Sequence, residues 1–188
     1  MRRIILASQS PRRKQLLQWA EVPFDVLVTQ TDESFPEGLS PRDVAIHIAR
    51  NKASTVTSRY GDAVPILAAD TIVVLGDEIL GKPTDREDAI NILSKLSGKK
   101  HLVITGVCIA FDKKEKVFSD TTEVTFHELT PEQIIFYVDN YKPYDKAGAY
   151  AIQEWIGVIG IHSIKGDFYN VMGLPVSQVV KELQKIDR

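Results

Sequence analysis

The stretch IILASQSPRR, residues 4–13, runs four apolar residues into two serines, a proline and a doubled positive charge. The apolar run reads as a strand over 4–7. Ser10 is a good N-cap and Pro11 suits a first helical position, so a helix is expected from 11 to about 20. A strand that turns directly into a capped helix is the unit of an α/β fold, and the chain beyond repeats it. A second strand is expected over 24–28, and Ser40-Pro41 opens a helix to about 59. The apolar, β-branched run over 64–75 reads as a buried strand. A helix over 85–96 follows. Strands over 102–111 and 116–127 are joined by Asp112-Lys113-Lys114-Glu115, a hairpin tip. Thr130-Pro131 opens a helix to about 140. One or two short strands are expected within 155–164, and an amphipathic helix over 174–186 closes the chain. Early alternation followed by an antiparallel pair predicts a mixed α/β sheet flanked by helices.

At 188 residues the chain suits one domain, built as two lobes. With 44% hydrophobic and 26% charged residues it has the composition of a soluble globular protein. A formal charge of −2 offers no broad basic surface, which argues against a nucleic-acid polymer as partner. Any anionic ligand must then meet positive charge gathered in a pocket. Cys108 is the single cysteine, so no internal disulfide forms and a reducing compartment fits. No apolar run has transmembrane length, and the N-terminal one is too short for a signal-peptide core, so a cytoplasmic location is expected.

The opening stretch also carries chemistry. A strand-to-helix turn aims backbone N–H groups and the positive helix end at one point, which suits an anion. Ser8 and Ser10 add hydroxyls, and Arg12 and Arg13 add guanidinium forks that match phosphate. The alternative is that Ser10 is only a cap and the arginines are solvated first-turn residues. Ala45, Ala49, Lys52 and Val56 share one face of the second helix. Read from the residues alone, Lys52 packs its stem there and extends its amine to water. Asp70 interrupts the longest apolar strand, where a carboxylate is costly unless paired, metal-bound or at a cleft-facing end. Thr71 falls on the opposite face of a regular strand. Gly81-Lys82-Pro83 is a rigid turn presenting a lysine. Asp32-Glu33 and Glu123 are acids that can join Asp70 around a hard cation. The four histidines show no metal-ligand spacing, which argues against zinc. Asp145-Lys146-Ala147-Gly148-Ala149-Tyr150 has the mixture of a cleft-lining loop. Gln153 beyond it has an amide able to read a base edge, though a plain surface role is the simpler reading.

Taken together and in order, Ser8-Gln9-Ser10-Pro11-Arg12-Arg13, Ala49-Arg50-Asn51-Lys52-Ala53, Ala69-Asp70-Thr71, Gly81-Lys82-Pro83, Asp145 to Tyr150 and Asn170-Val171-Met172-Gly173-Leu174-Pro175 resemble the Maf family of nucleoside triphosphate pyrophosphatases. The resemblance runs nearly end to end. It implies two lobes with a central cleft, similar to inosine triphosphate pyrophosphatases. It implies metal-dependent cleavage between the α- and β-phosphates, with magnesium or manganese as cofactor. Phosphate binding would fall on Ser8, Arg12, Arg13, Lys52 and Lys82, with Lys52 and Lys82 also catalytic. Asp70 would be the proton acceptor, and Glu33 would join Asp70 at the metal. Arg12, Thr71 and Gln153 would govern base choice. Ala69-Asp70-Thr71 resembles the branch acting on dTTP and UTP, with CTP and modified pyrimidines as further candidates. The family is also tied to restraint of septum formation and to homodimers. The rival expectation is a nucleotide-sensing division regulator that binds without turnover.

Overall fold

The computed structural model describes residues 1–186. Its elements follow from local signals. β1 (Ile4–Leu6) leads through the Ser8-Ser10 turn into α1 (Pro11–Trp19), where Ser10 Oγ accepts from the Arg13 N–H and Pro11 opens the helix. β2 (Phe24–Val26) precedes α2 (Pro41–Tyr60), capped by Ser40 with Pro41 at its start. β3 (Ile66–Leu75) turns into the short β4 (Glu78–Leu80), and α3 (Arg86–Leu96) is capped by Asp85. β5 (Lys100–Phe111) and β6 (Lys114–Phe126) meet at a tip where Asp112 and Lys113 both take positive φ. α4 (Pro131–Tyr141) opens on a full capping box between Thr130 and Gln133. α5 (Trp155–Gly160), β7 (Ile161–Lys165), α6 (Phe168–Met172) and α7 (Val176–Ile186) complete the chain.

The sheet has seven strands in the order β2-β1-β3-β5-β6-β7, with β4 beside β3. β1 is parallel to β2 and to β3, whereas β3–β4 and β6–β7 are antiparallel. The sheet is therefore mixed, as the alternation of elements predicts. The chain forms two compact units, one of residues 1–71, 105–120 and 173–186 within the described range, the other of residues 72–104 and 121–172. The first unit buries Ala7, Ala49, Ala53, Val56, Ile66, Ala68, Cys108 and Ala110 in one cluster. Small side chains let α2 lie close to its sheet. The second unit buries Phe126, Tyr137, Val138 and Ile156, among others. No described helix is long and apolar enough to cross a membrane.

Several expected elements differ. Residues 155–160 form a helix, α5, and only Ile161–Lys165 is a strand. β-branched and aromatic residues favour a strand there, but α5 packs its own backbone against the preceding turn, as described below. The buried strand starts at Ile66, after Pro65, which has no N–H to give the ladder. The hairpin tip shrinks to Asp112-Lys113 because these two residues absorb the reversal in left-handed backbone. The closing helix begins at Val176, after Pro175. β4 and α6 were not expected.

Candidate active site

In the first unit, three segments converge on one ammonium. Lys52 projects from α2 and donates to Asp70 Oδ1 at 2.6 Å. The same Nζ lies 2.7 Å from Oε1 of Glu33, which comes from the irregular segment between β2 and α2. Lys52 and Asp70 side chains are only 16% and 13% exposed, while Glu33 is about half-exposed. The expectation that Lys52 extends freely to water is corrected: its amine is held between two acids. Asp70 in turn is tolerable in a strand flanked by buried Ala69 and Ile72 because that cation faces it. Two carboxylates sharing one ammonium can be no farther apart than their two bonds allow.

Next to this pair the two arginines part company. Arg13 is buried, and three of its five N–H groups are engaged inside the protein. Nε donates to the Gly173 carbonyl at 2.8 Å, Nη1 to Ser8 Oγ at 3.3 Å and Nη2 to Thr71 Oγ1 at 3.0 Å. Burial pulls its guanidinium below the ordinary range, and the Asp70 carboxylate offsets part of that pull. Ser8 Oγ also accepts from the Ser10 N–H, so both its lone pairs are engaged and its proton is left to donate. Thr71 Oγ1 further shares a hydrogen bond with Thr105 at 2.9 Å. Arg12, one residue earlier, is half-buried.

Ser8, Arg12, Arg13, Glu33, Lys52, Asp70 and Thr71 thus all belong to the first unit, and Lys82 and Gln153 belong to the second. Lys82 is exposed, on the turn before buried Pro83. The Gly81 carbonyl accepts from the Gly148 N–H at 3.0 Å, which ties the lysine turn to the Asp145–Tyr150 loop. Gly148 has φ +71, and a Cβ there would meet Val73 Cγ2 at 2.8 Å, so only glycine fits. Gln153 is exposed at the tip of a turn closed by the Glu154 N–H on the Ala151 carbonyl. Glu123, named above as a further acid, pairs with Lys100 in the second unit. Among the described residues no three His, Cys, Asp or Glu side chains gather as a metal cluster.

The family model of Maf-like proteins matches this chain over residues 3–186. The chain belongs to the Maf-like protein family. Many relatives of this Maf-like chain carry one name. The dTTP/UTP pyrophosphatase of Cytophaga hutchinsonii is 48% identical over 183 residues, 97% of this chain and 84% of that protein. The dTTP/UTP pyrophosphatase of Bacillus cereus is 47% identical over 187 residues, covering 100% of this chain and 97% of that one. Among solved structures, a HAM1 protein from Coxiella burnetii superposes with a TM-score of 0.49 at 16% identity, over 98% of this chain and 100% of that one.

Three partners in this Maf-like site lay beyond sequence reasoning. The Arg13–Thr71 bond spans 58 residues, the Arg13–Gly173 bond spans 160, and Thr105 belongs to none of the motifs. A polar threonine inside the apolar run over 102–111 was the available signal for the last.

Proposed function

We propose that this chain is a nucleoside triphosphate pyrophosphatase that cleaves dTTP and UTP to the monophosphate and pyrophosphate. The observation that carries the reading is the Glu33–Lys52–Asp70 cluster, half-buried in the first unit beside Ser8 and the arginines. The names of the relatives support the substrate class.

Each residue has a task in this reading. Ser8, Arg12, Lys52 and Lys82 neutralise and position the phosphates, and Arg13 supports them from behind. Asp70 gives Oδ1 to Lys52 and uses Oδ2 to orient a water and take its proton. Lys52 holds Asp70 in place, then serves the phosphate oxygens as charge builds on the leaving pyrophosphate. Glu33 and Asp70 form an oxygen-only pair that fits magnesium or manganese, ions commonly held by one or two carboxylates together with substrate phosphates. Such an ion supplies Lewis-acid polarisation and acidified water. Gln153 both donates and accepts, which matches the carbonyl and N–H of a uracil or thymine edge. Arg12 and Thr71 would assist base choice, Thr71 through Arg13. CTP and modified pyrimidines are further substrates of the same chemistry. A homodimer acting in the cytoplasm, with a link to septum formation, completes the family-level reading.

The deciding experiment incubates purified protein with a nucleotide panel plus magnesium or manganese and identifies products. Pyrophosphate with dTMP or UMP supports the proposal. Orthophosphate with a diphosphate overturns the cleavage position. Tight binding without product favours a nucleotide-sensing division regulator.

A further inference from the structure

We infer that Tyr137 is a positioning residue for base selection, holding the turn that presents Gln153. The inference rests on Gln153 reading the base, as proposed above. Gln153 itself is exposed, but both its flanks are fastened to the interior of the second unit. On one flank, the Tyr137 hydroxyl accepts from the buried Ala151 N–H at 3.1 Å. On the other, the same hydroxyl donates to the Glu154 carboxylate. Tyr137 projects from α4 and is wholly buried. One oxygen therefore fixes the residues on either side of the turn tip.

Two further contacts keep the turn from drifting. Lys146, its side chain only 9% exposed, lies 3.6 Å from the second Glu154 oxygen. Behind the turn, Gly157 of α5 sits against the Ile152 carbonyl, where an added Cβ would fall 1.8 Å from that oxygen. No side chain can occupy that space without moving the turn backbone. Ala151 and Ile152 are buried, so the turn that carries Gln153 is anchored in the interior on its leading side. An amide must be placed to within a fraction of an ångström to reward one base edge and leave another unpaired. A surface glutamine with no role in recognition does not require such fastening of its neighbours.

The test compares kcat/KM for dTTP with kcat/KM for GTP in one preparation of each variant. This ratio is independent of how much enzyme is active, so partial unfolding cannot mimic the effect. Tyr137→Phe keeps the ring and removes the hydroxyl. It should lower the dTTP preference about tenfold, the equivalent of one well-placed hydrogen bond, chiefly through KM for dTTP, with kcat nearly unchanged. Gly157→Ala should lower it too, with the tyrosine intact. In a Gln153→Ala background neither change should lower the ratio further. If Gln153→Ala collapses the preference while Tyr137→Phe and Gly157→Ala shift only melting temperature, Tyr137 is structural and the inference is overturned. If Gln153→Ala leaves the preference intact, the base-reading role fails, and the positioning role with it.

Discussion

Two lysines, Lys52 and Lys146, each stand between two carboxylates with little exposure, yet they do different work. Lys52 draws its acids from a strand and an irregular segment, at 2.6 and 2.7 Å, and its partner Glu33 is half-exposed. Lys146 takes Asp145 from its own loop at 2.8 Å and reaches Glu154 only at 3.6 Å. Glu154 is also held by Tyr137. The first arrangement gathers charges from three segments of the chain, with one acid half-exposed. The second closes on itself and braces a loop. Burial of a charged pair therefore does not identify a site. What distinguishes the Lys52 cluster is that its two acids come from segments separate from each other and from the lysine's own.

The comparison can be broken most directly at Asp70. Asp70→Asn should lower kcat about a hundredfold to ten-thousandfold, the usual loss of a general base, while nucleotide binding by calorimetry changes little. Near-normal turnover at saturating substrate and metal would remove Asp70 from the chemistry. Acid should weaken the closed region next. His101 is buried against Tyr150, its Nε2 2.8 Å from the hydroxyl, and burial lowers its pKa to about 4. The unfolded chain binds that proton near pH 6.5, so stability is lost as pH falls from about 6.5 to 4. The loss is about 3 kcal/mol, read by urea melts across that range, and it should shrink in His101→Gln.

Lys146→Met should cost stability rather than chemistry. Removing one partner of a fully buried pair costs roughly 3–5 kcal/mol. Because Asp145 is about half-exposed, about 2 kcal/mol is expected here. A larger fall in kcat than in melting temperature would make Lys146 catalytic and erase the contrast with Lys52. The smallest effects sharpen the contrast within the first unit. Arg12→Ala should lower kcat/KM about tenfold, one charge-assisted phosphate contact, with little change in melting temperature. Arg13→Ala should lower melting temperature as well, because Ser8, Thr71 and Gly173 lose their common donor. Lys113→Ala, on the hairpin tip, should do neither. Identical behaviour of all three would dissolve the distinction between a ligand-facing and a bracing arginine.

Helix starts were legible because their causes are local: Ser10-Pro11, Ser40-Pro41 and Thr130-Pro131 each combine a cap with a fixed φ. Asp70 was legible because a carboxylate in an apolar strand demands a partner. The identity of that partner was not, since Lys52 lies 18 residues away on a different element and its stripe of small residues also suits a solvated amine. Glu33 stood among several acids able to join Asp70, and only the family resemblance singled it out, because an acid in an irregular segment has no periodicity to place it. α5 was misread because strand propensity is a statement about side chains, whereas the backbone approach at Gly157 is a statement about space. β4 has three residues, and its existence depends on Val73, Val74 and Leu75 across a turn.

Cys108 lies among alanines in the first unit, wholly enclosed, and burial first among causes pushes its thiol up to about 12. Attack on an electrophile needs both thiolate and access, and the closed protein offers neither. A disulfide reagent can therefore react only during transient opening, and its rate measures how often that unit breathes. As the single thiol in the chain, Cys108 is a built-in clock. Slowing of its labelling by nucleotide would time, without any engineered probe, how firmly substrate clamps the half of the molecule that carries Asp70.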